Sequence, residues 1–536
     1  MQQFAELLEN LVLAPQRNAK LRLLQDYFAH TPDPDRGYAL AAITRDLEFH
    51  SVKPAMLRAL VEERMDPVLF AYSYDYVGDL AETISLVWPE KRGANAVPSL
   101  ADVVDALTAA SRTEGPRLVE AWLDALNATA RWSLIKLVTG GLRIGVSARL
   151  AKQALAGFGD KPVGEIEELW HGLSPPYADL FAWLEGKAPK PVSTVKALFR
   201  PVMLAHPIEE QDFEKLDPSD YAAEWKWDGI RVQATCEAGV PRLYSRTGDD
   251  ISTAFPDVIE ALTFEGCIDG ELLVFRPGDG GEVGIAPFSD LQQRLNRKVV
   301  AKKHLTTFPA MIRAYDLLQA GDDDLRAKPF RERRSRLADF VEAHASSRID
   351  LSPIVPFSAW EDLEALRMAP PDPVMEGVML KRWDSVYEPG RPKGPWFKWK
   401  RDPFTVDAVL MYAQRGHGKR SSFYSDYTFG VWKPTETDEI ELVPVGKAYF
   451  GFTDAELKSL DKFVRDNTTD RFGPVRAVRA EPDHGLVLEI AFEGLNRSTR
   501  HKSGVAMRFP RISRIRTDKQ PRDADTLENL VRLLPT

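Results

Sequence analysis

The stretch EWKWDGIRVQ, residues 224 to 233, sets a lysine between two tryptophans and then breaks at a glycine. Successive side chains of a β-strand point to opposite faces, so Lys226 would share a face with Glu224 and Asp228, and the tryptophans would pack on the other. Arg231 has the wrong parity for that face, and we expect the glycine to turn the chain and redirect the residues after it. On periodicity alone, an amphipathic strand with a solvated charged face explains the stretch as well.

Bulk composition bounds the class of protein. A chain of 536 residues is too long for one core and predicts about three domains. Its 44% hydrophobic and 28% charged residues are typical of a soluble globular protein. The two cysteines, Cys236 and Cys267, form no C-x-x-C pair. This usage excludes a disulfide scaffold and a cysteine zinc site, and it favours a reducing compartment.

Neither a signal peptide nor a membrane span is expected. The start, MQQFAELLENLVLAPQRNAK, has acids inside its apolar stretch and no basic leader. No apolar run approaches the roughly 20 residues that span a bilayer. We therefore expect a soluble, cytoplasmic protein with no membrane partner.

The distribution of charge is more informative than its sum. The formal net charge of -9 argues mildly against a nucleic-acid partner. Residues 496–519, however, carry a dense basic run with a single acid, Asp518. Its cations are Arg497, Arg500, Lys502, Arg508, Arg511, Arg514, Arg516 and Lys519. A solvated surface usually mixes charge signs, so this run predicts a localised anion-binding site.

The first part of the chain reads as helical, to about residue 185. In PRLVEAWLDALN, Leu118, Trp122 and Leu126 repeat at helical spacing behind a proline at a plausible first helical position. Four prolines within residues 186–210 then predict a linker.

The rest of the chain predicts two further domains. From about 220 to 400, short apolar strands alternate with turns and a few helices, an α+β pattern. Four spaced strands come next, DAVLMYAQRG, DYTFGVWKP, ELVPVGKAYFGF and GLVLEIAFEGL, with the helix-like TDAELKSLDKFVRD between the third and fourth. This pattern is typical of a small barrel of the OB type. The predicted fold is thus multi-domain: all-α over 1–195, α+β over 196–402, and an OB-fold β-barrel over 403–536.

Further stretches of the last two parts put charged or aromatic side chains on strand faces. They are CIDGELLVF with Asp269 and Glu271, RAYDLL with Tyr315, EGVMLKRW with Glu376 and Lys381, and GPWFKWKRD with Lys398 and Lys400. In the last of these, Phe397 and Trp399 take the face opposite the lysines. Each stretch by itself is more often a half-buried strand than a site.

Together, in this order, the stretches resemble the covalent nucleotidyltransferase superfamily, and most closely the ATP-dependent DNA ligases. KWDGIR matches the lysine motif K-x-D-G-x-R of that family, and LYSRTG its downstream arginine. DGEL matches its acidic motif, AYDLL its aromatic motif, EGVMLK the motif that follows, and WFKWK its paired lysines. RFPRISRIRTDK matches its last motif, in the terminal OB domain.

The resemblance extends beyond these motifs. VGDLAETI (77–84) and GGLRIGVS (140–147) resemble the helical DNA-binding domain of larger ligases. FRPVMLA (199–205) resembles the family's linker, and LQQRLNRK (291–298) resembles bacterial members. One departure is GRPKGPW, where relatives often have an Arg-Arg or Arg-Gly pair, so that either Arg391 or Lys393 could take the phosphate-contacting role.

The resemblance implies a lysyl-AMP enzyme intermediate, then an adenylated DNA, then sealing of a nick between a 5′-phosphate and a 3′-hydroxyl. Lys226 is the predicted nucleophile. A free lysine titrates near 10.4, and the cations Lys398, Lys400 and Arg231, with bound metal, are expected to lower the pKa of Lys226.

The resemblance also implies roles for the other motif residues. Arg231, Arg246, Lys398 and Lys400 would surround the phosphates with positive charge. Glu271 and Glu376 would bind Mg²⁺ or Mn²⁺, with Glu271 also reaching the ribose, Tyr315 stacking on adenine, backbone groups beside Glu224 reading part of the base, and Asp228 orienting the nucleophile. Arg508, Arg511, Arg514, Asp518 and Lys519 would orient pyrophosphate, and Arg143, Arg149 and Lys152 would bind DNA phosphates.

Rival interpretations share the same core. RNA ligases and RNA-capping guanylyltransferases lack the DNA-clamp resemblance, NAD-dependent ligases usually carry a four-cysteine zinc site, and a non-catalytic scaffold would lose motif residues. The resemblance therefore implies an ATP-dependent DNA ligase of the bacterial cytosol or nucleoid, acting on nicked double-stranded DNA in repair. We expect a monomer, with a repair helicase or nuclease as partner.

Overall fold

The computed structural model of the chain contains two compact units. One holds residues 1–154, 175–178 and 402–536, and the other holds residues 155–174 and 179–401. The residues described are 1–77, 79–89, 96–192, 195–277, 283–295, 297, 300–415, 424–435, 439–449, 454–473, 475–498 and 501–534. The three-domain boundaries at 195 and 402 stay a prediction.

The N-terminal part is helical, as predicted. Its helices are α1 Gln2–Leu13, α2 Arg17–His30, α3 Asp35–Thr44, α4 Pro54–Glu62, α5 Pro67–Val77, α6 Leu80–Val87, α7 Leu100–Ala109, α8 Glu114–Ala125, α9 Ala128–Val138, α10 Ala148–Gly159, α11 Val163–Leu169 and α12 Ala178–Leu184. Side chains cap several of them: Asp79 accepts from the backbone N–H of Glu82 in α6, and Asn127 from that of Ala130 in α9. None of the described helices is long and apolar enough to cross a membrane.

The buried face of α8 differs from the predicted one by one position. The helix begins two residues before Pro116, so the proline is not its first residue. Val119 and Leu123 are the buried aliphatic side chains, whereas Leu118 and Trp122 are only partly buried. The 3.6-residue period predicts the helix, but the packing neighbours decide which part of a broad apolar stripe faces inward.

The central region is an α+β structure. Its strands are β1 His206–Pro207, β2 Tyr221–Trp227, β3 Ile230–Glu237, β4 Val240–Ser245, β5 Gly266–Pro277, β6 Val283–Ile285, β7 Ala310–Ala320, β8 Asp323–Asp324, β9 Ile349–Leu351, β10 Ile354–Val355, β11 Met375–Arg382 and β12 Trp396–Lys400. Its helices are α13 Glu210–Phe213, α14 Pro256–Ile259, α15 Phe288–Gln292, α16 Lys302–Thr307, α17 Phe330–Ala343 and α18 Trp360–Met368.

Two sheets divide these strands, and the chain passes from one to the other at the predicted glycine. The first sheet has the order β1-β12-β11-β2-β10, and the second has the order β4-β3-β5-β7-β8. The passage from β2 to β3 runs through Asp228 and Gly229. A Cβ on Gly229 would lie only 2.5 Å from the carbonyl oxygen of Leu272 and 2.8 Å from Cγ of Glu271. Only glycine therefore lets this turn lie so close to β5.

The alternation predicted for β2 is confirmed. Trp225 packs on the apolar side of the first sheet, against a cluster formed by Tyr221, Ala223, Val355, Leu363, Val378, Leu380 and Phe397. Lys226 has the opposite parity, and it is aligned across the sheet with Gly377 of β11 and Lys400 of β12. The apolar face holds the sheet in the core and leaves the lysine-bearing face for the site.

The C-terminal part is the predicted strand-rich domain. Its strands are β13 Phe404–Arg415, β14 Tyr424–Pro434, β15 Ile440–Tyr449, β16 Thr468–Phe472, β17 Val475–Val478, β18 Val487–Phe492, β19 Gly494–Arg497, β20 Val505–Arg508 and β21 Arg511–Arg516, with helices α19 Asp454–Asp466 and α20 Leu527–Val531. One sheet has the order β15-β14-β13-β17-β16, and in it β18 pairs with both β13 and β21. The short strands β16 and β17, between α19 and β18, were not predicted.

Candidate active site

A cavity of about 440 Å³ in the central region gathers the predicted nucleotide residues. Its lining includes Glu224, Lys226, Arg231, Arg246, Glu271, Tyr315, Lys398 and Lys400. They come from strands of both sheets and from the turn after β4. The tertiary structure therefore brings motifs that are far apart in the chain to one cavity.

A β-bulge aims Glu376 at the predicted nucleophile. In the β2–β11 ladder, Met375 is opposite Trp227 and Gly377 is opposite Lys226, which leaves Glu376 as an extra residue. Bulges bend a strand and redirect side chains, and they are frequent beside active sites. The carboxylate of Glu376 accepts a hydrogen bond from Lys226 Nζ at 2.6 Å.

Gly377 is required by this bulge. Its φ is +145°, and a Cβ there would lie 2.2 Å from the carbonyl oxygen of Trp399 and 2.7 Å from Cα of Lys400. A side chain at this position would force β11 and β12 apart. The glycine of EGVMLK thus serves the backbone that presents the acid next to it.

The immediate partner of Lys226 is a carboxylate, whereas the sequence predicts cations around it. Lys400 Nζ also lies 3.8 Å from the same oxygen of Glu376. The pKa of Lys398 is lowered, first by burial and then by the charges of Arg391 and Lys400.

Arg391, and not Lys393, lines the cavity. Burial, then the charges of Arg231 and Arg391, lowers the pKa of Arg246, another cavity residue. The backbone of Arg391 is tied to β1, since its carbonyl oxygen lies 3.1 Å from Nε2 of His206. This placement favours Arg391 for the role that the motif GRPKGPW leaves open.

Arg231 lines the cavity with Lys226 and is held there by protein groups, and its role at the phosphates stays a prediction. Its Nε donates to Asp269 at 3.0 Å, its Nη1 to the carbonyl of Met203 at 2.6 Å, and its Nη2 to the hydroxyl of Tyr387 at 3.0 Å. Burial opposes its charge, but Asp269 outweighs burial and raises the pKa of Arg231 well above its usual range. The guanidinium therefore ties β3 to β5 and to the linker.

Glu271 is the carboxyl group whose ionisation the cavity perturbs near neutral pH. Burial raises its pKa to about 7, against the opposing charges of Lys226 and Arg231. Glu376 adds to the rise. Glu271 therefore exchanges its proton in the pH range in which cells work.

Tyr315 lies at a second bulge. In the β5–β7 ladder, Asp269 is opposite Asp316 and Gly270 is opposite Ala314, so Tyr315 is the extra residue of β7. Its ring lines the same cavity. The ladder of β7 thus breaks at the residue that the sequence assigns to the base.

The end of the cavity near Tyr315 also contains side chains to which the sequence motifs assign no role. They are Ser352, Met379, Lys381 and Trp396. Strand parity could have identified two of them, because Met379 and Lys381 have the parity of Gly377 on β11. Ser352 comes directly after β9, and no pattern in the sequence indicates it.

Several cations of the basic run in the C-terminal part form ion pairs with acids. The ion pairs are Arg511–Glu493 at 3.4 Å, Arg514–Glu489 at 2.9 Å, Arg516–Asp518 at 2.7 Å, Arg516–Asp407 at 3.0 Å and Lys519–Asp407 at 2.5 Å. The linear sequence suggests that Asp518 is the single acid near these cations, but the fold brings further acids to them. Arg508 is partly buried, and burial lowers its pKa, whereas Arg500 lies outside the described residues.

The predicted DNA-binding residues lie around the α9–α10 connection. Arg143 is exposed in the turn, and Arg149 and Lys152 lie in the first part of α10. The ion pair of Lys136 with Asp79, at 2.5 Å, joins α9 to the cap of α6. VGDLAETI, whose Gly78 lies outside the described residues, is thus linked to α9, the helix that ends just before GGLRIGVS.

Known proteins match this chain along most of its length. Residues 202–400 match the family model for the ATP dependent DNA ligase domain, and residues 420–519 match that for the ATP dependent DNA ligase C terminal region. A "Probable DNA ligase" of Koribacter versatilis is 34% identical, over 77% of this chain and 73% of its own length. A "Probable DNA ligase" of Anaeromyxobacter sp. (strain Fw109-5) is 33% identical, over 80% and 81%.

A solved structure agrees with the fold. The structure named Pmar-Lig_PreS3 covers 96% of this chain and 99% of its own, with a TM-score of 0.60 and 15% sequence identity. At that identity the likeness concerns the fold alone. The two family matches and the relatives above 30% identity decide the family: the chain belongs to the ATP-dependent DNA ligases, whose substrates are ATP and nicked DNA.

Proposed function

We propose that Lys226 is the residue that carries AMP in this ligase. Its neutral amine attacks the α-phosphorus of ATP, a phosphorus–nitrogen bond forms, and pyrophosphate leaves. AMP then passes to the 5′-phosphate at a nick, and the neighbouring 3′-hydroxyl attacks that phosphate and expels AMP. The observation that carries this proposal is the position of Lys226 in a cavity with cations on one side and a carboxylate 2.6 Å away.

The carboxylate supports the proposal because the amine must lose a proton before it attacks. Glu376 Oε2 is the atom that accepts from Lys226 Nζ, and it is positioned to receive that proton. Lys398, Lys400, Arg246 and Arg391 would hold the triphosphate and stabilise the charge that develops on pyrophosphate. Arg231 would support this wall through Asp269.

Magnesium fits the two carboxylates of the site. Glu271 lines the cavity and its charge interacts with that of Glu376, and carboxylate oxygens are the ligands that Mg²⁺ or Mn²⁺ prefers. Among the described residues, no group of three or more candidate ligands exists. Glu271 and Glu376 would therefore hold the ion together with phosphate oxygens and water, and the ion would neutralise phosphate charge.

The other end of the cavity would take the nucleoside. Tyr315 would stack on adenine, Glu224 would face the base, and Glu271 would reach the ribose. Asp228 directly follows β2, where its backbone N–H donates to the carbonyl of Val374 at 2.9 Å. That bond would fix the turn beside the nucleophile.

The remaining proposals concern residues of the other compact unit and the role of the enzyme in the cell. Arg508, Arg511, Arg514, Asp518 and Lys519 would orient pyrophosphate, and Arg143, Arg149 and Lys152 would bind DNA phosphates without reading sequence. A helical DNA-binding domain over 1–195, an adenylation domain over 196–402 and an OB domain over 403–536 fit these roles. We infer a cytoplasmic, monomeric enzyme of DNA repair that cooperates with a helicase or a nuclease.

Labelling with α-labelled ATP tests the central proposal. Lys226→Ala should abolish covalent labelling and leave nicked-DNA binding intact, since the DNA-binding residues proposed are elsewhere. Lys303→Ala, an exposed lysine of α16, is the control and should label like the unaltered enzyme. Labelling of the Lys226→Ala protein would show that another residue is the nucleophile.

The DNA-binding assignment has a separate test. Arg143→Ala should weaken binding of nicked DNA and lower the slope of log K against log salt by about 0.9 for the lost phosphate contact. Labelling by ATP should be unchanged. Arg112→Ala, exposed elsewhere in the helical part, is the matched control, and equal salt slopes for both variants would contradict the assignment.

A further inference from the structure

A buried ion pair lies at the base end of the cavity. Lys381 Nζ is 2.5 Å from Glu224 Oε2, and the side chains are 1% and 2% exposed. A lone buried charge costs far more than an exposed one, and a buried pair depends on good geometry. The partners lie on adjacent strands, since Lys381 is opposite Ala222 and Glu224 is opposite Met379 in the β2–β11 ladder.

Aromatic rings enclose the ammonium of Lys381. Its Nζ lies 4.3 Å from the ring centroid of Tyr315, 4.8 Å from that of Trp396 and 5.0 Å from that of Phe330. It also donates to the carbonyl of Tyr315 at 3.3 Å. A cation held over three rings has little freedom to move away from the acid. Lys381 therefore holds Glu224 and Tyr315 in one arrangement.

The carboxylate of Glu224 retains capacity to accept hydrogen bonds. Among the described residues, neither of its oxygens has a geometrically acceptable hydrogen-bond donor besides the Lys381 ion pair. The nearest other cation is Arg334, whose Nε lies 3.9 Å from Oε1. An ionised carboxylate accepts and never donates. It would pair with the 6-amino group of adenine and repel the 6-oxo group of guanine.

The charge of Glu224 depends on its neighbours. Burial raises its pKa, the charges of Lys381 and Arg334 oppose the rise, and that of Asp316 adds to it. Without Lys381, the carboxyl would take up a proton at higher pH and become a donor as well as an acceptor. A protonated carboxyl no longer distinguishes an amino from an oxo group.

We infer that Lys381 is a positioning residue that makes this ligase select ATP over GTP, by holding Glu224 as an ionised acceptor at the purine 6-position. This inference rests on the proposed placement of the base beside Glu224 and Tyr315. It concerns a residue that does not touch the reacting phosphate, so the nucleophile and the choice of nucleotide are separable.

The test compares the rate of covalent labelling by α-labelled ATP and by α-labelled GTP. Lys381→Met should lower the ratio of kcat/KM for ATP to that for GTP at least tenfold, because the site then no longer rejects the oxo group. The remaining preference for ATP should rise with pH, as the carboxyl of Glu224 ionises again. Lys226 should still be the labelled residue.

Two further variants keep the test decisive. Arg382→Met removes a cation from the same strand on its exposed side and should keep the ratio of the unaltered enzyme. If Lys381→Met fails to fold, the double variant Lys381→Met/Glu224→Gln removes both charges and leaves no unpaired one. It should also lose the preference for ATP, because an amide can accept and donate.

An unchanged ratio in a folded Lys381→Met protein, or in the double variant, overturns the inference. Labelling at Lys226 in that protein would leave the proposed function standing. Equal loss of rate with both nucleotides, with the ratio preserved, would show that Lys381 only stabilises the fold and would also overturn the inference.

Discussion

Glu376 Oε2 lies 2.6 Å from Lys226 Nζ, although 150 residues separate the two in the chain. The contact arises because Glu376 is the extra residue of the β-bulge, while Gly377 takes the position opposite the lysine. A regular ladder would place the acid on a different side of β11. One irregular residue thus puts a proton acceptor beside the proposed nucleophile.

Removing the charge of Glu376 should slow formation of the lysyl-AMP. Glu376→Gln keeps the size of the side chain but cannot take the proton of Lys226. A charge-assisted hydrogen bond is worth about 1.5–3 kcal/mol, so the rate of labelling should fall by about ten- to a hundredfold. Single-turnover labelling with ATP measures the rate. Glu364→Gln, 57% exposed on α18, should have no effect, and equal rates for both variants would contradict the role.

Filling Gly377 should damage both the fold and the site. Gly377→Ala forces a residue to φ +145° and places a Cβ 2.2 Å from the carbonyl oxygen of Trp399. Such backbone strain costs about 1–3 kcal/mol, so the midpoint of thermal unfolding should fall by several degrees. Labelling should fall with it, because Glu376 moves. Gly164→Ala, in α11 with no heavy atom within 4 Å of the new Cβ, should be neutral or stabilising.

Glu271 should couple the stability of the ligand-free protein to pH. Its pKa rises from 4.5 to about 7 on folding. The folded protein therefore holds a proton that the unfolded chain releases, and stability falls as the pH rises through this window. Glu271→Gln removes that cost, which is on the order of 3 kcal/mol. Thermal unfolding at pH 5 to 8 should show the variant gaining on the unaltered protein as the pH rises; a constant difference would contradict this.

Arg391 and Lys393 should differ in their effect on ATP. Arg391 lines the cavity and lowers the pKa of Lys398, whereas Lys393 does not line it. Arg391→Ala should raise the KM for ATP in labelling by about tenfold or more, the value of one charge-assisted contact to phosphate. Lys393→Ala should leave it within about twofold. The reverse order would assign the phosphate contact to the lysine.

Much of this protein can be inferred from short-range features of the sequence. The order of the motifs predicts the family, and the alternation of EWKW places Lys226 on the face opposite Trp225, as β2 confirms. Gly229 marks the passage between sheets as the sequence predicts, although the close approach of β5 that requires a glycine there is visible only in the fold. Parity and chain turns depend on neighbouring residues, so they can be inferred without a structure.

Other features exist only in the folded chain. The bulges at Glu376 and Tyr315, and the hydrogen bond from Arg231 to Asp269, depend on how distant strands are paired. Two of the acids that meet the basic C-terminal run, Asp407 and Glu489, come from β13 and β18, and no local pattern links them to it. A pKa such as that of Glu271 depends on burial and on charges brought together by tertiary contacts. The sequence alone therefore predicts which residues are candidates for the chemistry, and the packing of two sheets decides which of them touch and in what charge state.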